Sequence, residues 1–210
     1  MGPVRVVADP DLFDQIKLFL PKYLSPDQQH RLFAELSTFP ENRTFYLSRS
    51  NLLGELLQGD GWRGFVAINF HSGDRRTISG MVISNSCDIS PANMGSLPVN
   101  IVFAPLIELA KYVERLRGVG KTSEQIENLL RDIRRQRVSS MFFLPECPGV
   151  IPECIVLLDD LHAHPLRDFL DREKSALFTL NQYAFYLFLM KLSIHFSRFQ
   201  EGAERFDSAA

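Results

Sequence analysis

Residues 64–85 read GFVAINFHSGDRRTISGMVISN. An apolar run from Gly64 to Phe70 is followed by the polar loop HSGDRRT and a second apolar run from Ile78 to Ile83. Two such runs joined by turn chemistry predict a β-hairpin. The pattern continues outward from it. A loop rich in Ser, Asn, Pro and Gly leads to a third strand, Val99 to Ala104. Two more strands are expected at Ser140 to Leu144 and Cys154 to Leu158. Five short strands separated by turns point to a small barrel or rolled sheet.

Helices flank this core. Asp9 caps a helix whose first residue is Pro10, and Pro21 ends it. Ser25 and Gln28 then stand at capping-box spacing ahead of a Leu32, Phe33, Leu36 stripe, so residues 9–38 read as a helical hairpin. Residues 105–137 read as a two-helix insertion. One helix runs from Pro105 to Arg117; the other is opened by Thr122 with Gln125, and carries Ile126, Leu129, Leu130 and Ile133 on one face. From 180 to 199 apolar residues occupy almost every face of the first half, the pattern of a buried or interface helix. No internal repeat or low-complexity linker interrupts the chain. Residues 1–210 therefore read as a single α+β domain with its barrel core at 59–170.

Hydrophobic residues make up 45% of the chain and charged residues 23%, enough to bury a core and exclude a disordered chain. The net charge of −2 leaves no global electrostatic footprint for nucleic acid. Three cysteines without a CxxC pair point to a reducing compartment. The N-terminus lacks the apolar core of a signal peptide, and the longest apolar run, Tyr183 to Met190, is too short to span a bilayer. A cytoplasmic protein without a membrane partner is the expectation. With no P-loop, dinucleotide-binding glycines, HExxH or GxSxG, neither a cofactor nor a metal is expected.

Four groups of residues have chemistry to weigh. Cys87-Asp88 follows the second strand; a cysteine is a nucleophile only as a thiolate, and otherwise the pair is a small cysteine beside a turn-capping aspartate. His162 and His164 offer two imidazoles on an extended segment, but no further ligand stands at a metal-binding spacing, and a strand end turning at Pro165 accounts for them. Lys191, His195 and Arg198 share a face of the last helix and read as a solvated stripe. The strongest electrostatic signal is the insertion. Lys111 to Arg137 holds eight Lys/Arg against four Asp/Glu, a local +4, so the remainder of the −2 chain carries −6. Arg131, Arg134 and Arg135 lie on one helical face and could meet phosphates, an acidic protein partner or only water. No aromatic residue interleaves with these three arginines, as a single-strand stacking platform would have.

The strand GFVAINF, the glycine-containing loop, the strand ending in Ser-Asn (MVISN) and the later NIVFAP together resemble the opening of PemK/MazF toxins. SSMFFLP and ECIVLLDDLHAHPL are similar to that family's last strand and the helix start after it. The resemblance covers about residues 59–170, interrupted by the basic insertion. It implies an SH3-like β-barrel, usually dimeric, in a bacterial toxin–antitoxin or defence module, acting on RNA without a metal and held by a protein partner. It also places the family's arginine–proline pair on Ser79-Gly80 and its hydroxyl residue on Ile107, so neither catalytic side chain is in register. Arg75 or Arg76 would supply the arginine only with a shifted loop. The function expected is binding of RNA or a protein partner, possible homodimerisation included. The alternatives are a metal-independent endoribonuclease using Arg75 or Arg76, a cysteine hydrolase using Cys87 and Asp88, or a structural subunit docking through helix 180–199.

Overall fold

The computed structural model describes residues 25–47, 54–69, 71–90, 92 and 98–197. The chain falls into two compact units, Met1–Phe39 and Pro40–Ala210. The first holds α1 (Pro26–Ser37). Its capping box is formed as the sequence predicts: the Gln28 N–H donates to Ser25 Oγ at 3.3 Å and the Ser25 N–H to Gln28 Oε1 at 2.9 Å. The other expected helix of the hairpin, 9–20, lies outside the described residues.

The second unit is α+β. In chain order it runs β1 (Gly61–Ile68), β2 (Arg75–Val82), β3 (Asn100–Glu108), α2 (Leu109–Gly118), α3 (Ser123–Arg134), β4 (Met141–Leu144), β5 (Cys154–Leu157), β6 (His162–Pro165), α4 (Leu166–Leu170), β7 (Ser175–Phe178) and α5 (Gln182–Ser197). All strand pairs are antiparallel, and the hairpin of β1 and β2 is present as expected. The sheet order is β4-β5-β3-β2-β1-β7, with β6 also on β3. The expected closed barrel does not form, because β4 and β7, the two ends of this path, do not pair. The outer edge of β4 is occupied instead by a side chain. Gln136 Nε2 donates to the Phe143 carbonyl at 2.7 Å, and the Phe143 N–H donates to Gln136 Oε1 at 3.0 Å.

The third strand also differs from its predicted bounds. Pro105 does not start a helix; β3 continues through it to Glu108, where Leu106, Ile107 and Glu108 pair with Val156, Ile155 and Cys154. The long strand thus links the β1–β2 hairpin to the β4–β5 hairpin. The insertion helices begin only at Leu109. Two strands, β6 and β7, have no counterpart among the five read from the sequence.

The core is built by alternation and one irregularity. On β4, Phe142 faces α5, with its ring 5.5 Å from that of Phe188, while Phe143 clusters with Leu109, Ile133 and Ile155 under α2 and α3. The insertion and the last helix therefore cover opposite faces of the same hairpin. On β1, Trp62 and Phe65 share one core cluster although simple alternation would separate them. A β-bulge between Arg63 and Phe65 restores the phase. Gly64 adopts φ +115° there, and a Cβ on it would lie 2.8 Å from the Glu173 carbonyl oxygen. Phe65 then stacks between Phe103 at 4.1 Å and Phe169 at 4.4 Å. Gly80 lies beneath this stack: a Cβ would come within 2.8 Å of Phe103 and 2.9 Å of Phe65.

The first half of α5 is buried as expected, with Tyr183, Ala184 and Phe188 fully enclosed. Lys191 is not part of a solvated stripe: it is only 4% exposed, and its ammonium donates to the Gln136 carbonyl at 2.5 Å. That carbonyl follows the last turn of α3, where a cation is favoured by the helix dipole. His195 is half-buried against Phe196, and Arg198 lies outside the described residues.

Candidate functional site

Among the described residues, two concave sites collect charged side chains. The first is a groove of about 630 Å³ along α3. Glu127, Leu130, Arg131 and Arg134 stand at i, i+3, i+4 and i+7 on its wall, and Arg135 follows at the helix end. The three arginines singled out from the sequence do share this site. Opposite them lie Pro40, Glu41 and Arg43, which no sequence pattern connects to α3. Arg43 sits on a braced turn: the Thr44 N–H donates to Asn42 Oδ1 at 2.9 Å, and Asn181 Nδ2 donates to the Thr44 carbonyl at 2.7 Å. Arg134 grips Glu153 with two bonds, Nε–Oε1 at 3.1 Å and Nη2–Oε2 at 2.6 Å, which raise its already high pKa further. Arg131 bonds the Asn128 side chain. Arg43 and Arg135 are exposed and make no ion pair among the described residues.

The second site is a cleft of about 310 Å³ where β1, β2 and β3 meet α2 and the 150–154 segment. Ile78, Leu106, Ile107 and Ile151 give it an apolar lining. Arg63, Lys111 and Arg115 add three cations, and Glu108 one carboxylate. Lys111 Nζ lies 2.7 Å from Glu108 Oε1, leaving Arg63 and Arg115 outside that pair. Arg63 reaches the cleft because the Gly64 bulge keeps Trp62 and Phe65 on the core face while Arg63, paired with Ser79, is exposed. Cys154 also lines the cleft. Burial pushes its thiol up to about 12, with the Glu108 carboxylate adding to the effect, so it stays protonated and poorly nucleophilic.

The other sequence candidates are dispersed. Arg75 and Arg76 are exposed at the start of β2 and line neither site. Cys87 and Asp88 lie beyond the far end of that strand, so roughly 20 Å of extended chain separates the two pairs. Cys87 is exposed in a turn closed by Asn85, whose side chain accepts the Cys87 N–H at 2.9 Å and whose carbonyl accepts the Asp88 N–H at 3.1 Å. The neighbouring serines brace this segment: Ser84 Oγ accepts from the Val102 N–H of β3 at 2.8 Å and Ser86 Oγ from the Gln58 N–H, ahead of β1, at 2.9 Å. His162 stacks on Phe103 with ring centroids 5.4 Å apart and lies 3.2 Å from Asp160. His164 is buried with Nδ1 3.0 Å from the Pro165 carbonyl. Among the described residues no group of three His, Cys, Asp or Glu could hold a metal ion. Nor is any described helix long and apolar enough to cross a membrane.

No family model matches the chain, and no curated protein matches it significantly. Arg43, Arg63 and Glu108 have no sequence signal of their own, and Arg115 is marked only as one of the eight cations of residues 111–137. Only Gly64, as a glycine inside a strand, hinted that its neighbour would be redirected.

Proposed function

We propose that the chain is a PemK/MazF-like protein that binds single-stranded RNA in the cleft beside Arg63. One observation carries this reading. Ser79 and Ile107, the two positions onto which the resemblance maps the family's catalytic side chains, line the same cleft. They sit on different strands, and nothing in their local sequence would bring them together. The charge missing at those positions is supplied by neighbours: Arg63 and Arg115 would meet phosphates, and the apolar lining would receive a base. The same resemblance suggests a toxin–antitoxin or defence setting, in which expression would arrest growth.

Fluorescence anisotropy with labelled oligouridylate tests the binding. Joint Arg63→Glu and Arg115→Glu substitution is expected to weaken it at least tenfold. Loss of two phosphate contacts from a single strand should flatten the slope of log affinity on log salt by about 1.4. Failure of the native chain to bind at low salt, or equal binding by the variant, refutes the reading.

Glu108 favours a second reading, a metal-independent endoribonuclease. Its carboxylate would take the proton from a ribose 2′-hydroxyl; the 2′-oxygen then attacks the adjacent phosphorus, and the 5′-oxygen leaves with a proton from the neighbouring Lys111 ammonium to give a 2′,3′-cyclic phosphate. Arg63 and Arg115 would stabilise the charge on the phosphorane. Cyclic-phosphate products that vanish in Glu108→Gln while RNA binding persists would support this reading. Uncut RNA with the native chain would exclude it.

A further inference from the structure

We propose that the groove between residues 40–43 and α3 is a docking site for an acidic, extended segment of a protein partner. It is separate from the RNA cleft and does not depend on it: the two sites share no lining residue.

The charge balance defines the occupant. Four arginines and two glutamates line the groove, and among the described residues only Arg134 spends its charge on a carboxylate. Arg43, Arg131 and Arg135 remain to meet anions. The groove is also prepared in advance. Arg134 is fixed by its paired bonds to Glu153. The Arg43 turn is braced by Asn42 and Asn181. Less side-chain freedom is then lost when a ligand arrives.

The spacing suits a peptide. Positions 127 to 135 of the helix wall extend about 12 Å, roughly four residues of extended chain. Arg131 and Arg135 are one turn apart, about 6 Å along the axis, close to the roughly 7 Å between alternate side chains of such a peptide. Between the charges, Leu130 and Pro40 offer apolar surface for an intervening side chain. Nucleic acid fits less well. Glu41 and Glu127 would face an unbroken run of phosphates, and among the described residues no aromatic side chain lines the groove to stack a base.

The test is fluorescence anisotropy with two probes: a short labelled peptide alternating glutamate with leucine, and labelled oligouridylate. The peptide is expected to bind saturably, and joint Arg43→Glu and Arg135→Glu substitution to weaken it at least tenfold. Glu127→Lys, a gain of affinity that misfolding cannot imitate, is expected to strengthen it several-fold. Arg63→Glu with Arg115→Glu, which reverses two of the three cleft cations, should leave peptide affinity within twofold. The proposal is overturned if the peptide does not bind, if the groove variants leave its affinity unchanged, or if they weaken the RNA probe as much as the peptide. Because cleft and groove variants are read against separate probes, failure here is distinguishable from failure of the RNA-binding reading.

Discussion

Replacing Asp60 by asparagine isolates the effect of burying one carboxyl group. Asp60 is 3% exposed beside the start of β1 and is pushed up from 3.8 to about 7 by burial, although bonds from the Thr179 hydroxyl and the Leu57 N–H pull the other way. The folded chain therefore holds this proton more tightly than the unfolded chain does. Stability from this group is complete below about pH 4 and is lost as pH rises through about 7. The difference between 3.8 and about 7 corresponds to roughly 4 kcal/mol once both states are ionised. Between pH 5 and pH 8 the loss amounts to about 2.5 kcal/mol. Asparagine cannot ionise, so its stability relative to the native chain should rise by that amount across the same interval, whatever constant offset the amide introduces. Urea unfolding followed by the fluorescence of Trp62, the chain's single tryptophan and itself buried, measures both proteins. A difference in stability that stays constant from pH 5 to pH 8 refutes the reasoning.

Two further perturbations probe the core. Gly80→Ala pushes a methyl group into the Phe65–Phe103 stack and should lower stability by about 1–3 kcal/mol, with a changed near-ultraviolet circular dichroism signal. For Lys191, burial lowers the pKa to about 8, so its protonation opposes folding and stability should increase as pH rises from about 8 towards 10. Lys191→Met should remove that increase in thermal melts across this range.

What could be read from the sequence was local. The β1–β2 hairpin follows from two apolar runs and a turn, and the capping boxes at Ser25–Gln28 and Thr122–Gln125 need only residues three apart. Pro105 misled because it suits the first position of a helix as well as a strand; its pairing opposite Gly80 decides the matter, and that partner is distant in sequence. The four-residue strands β4 (MFFL) and β5 (CIVL) stand out as unbroken apolar runs, a signal that β6 (HAHP) and β7 (SALF), equally short, do not carry. Lys191 looked solvated because helical spacing shows which residues share a face but not what packs on that face. The two cavities were half legible for the same reason. The arginines of α3 could be grouped by spacing, whereas Arg43 and Arg63 join their sites only through tertiary contacts.

The side chain of Gln136 has a consequence beyond the geometry of one turn. An open sheet ends in a strand whose outward backbone groups can template the addition of another strand. At β4 that strand is MFFL, short, uncharged and aromatic, the composition that favours cross-chain pairing. Gln136 holds a left-handed backbone conformation, φ 56°, and offers its amide to Phe143 as a neighbouring strand would. Gln136→Ala would leave the N–H and carbonyl of Phe143 open to a second molecule, and light scattering should show concentration-dependent self-association. One amide group thereby keeps β4 the last strand of its sheet.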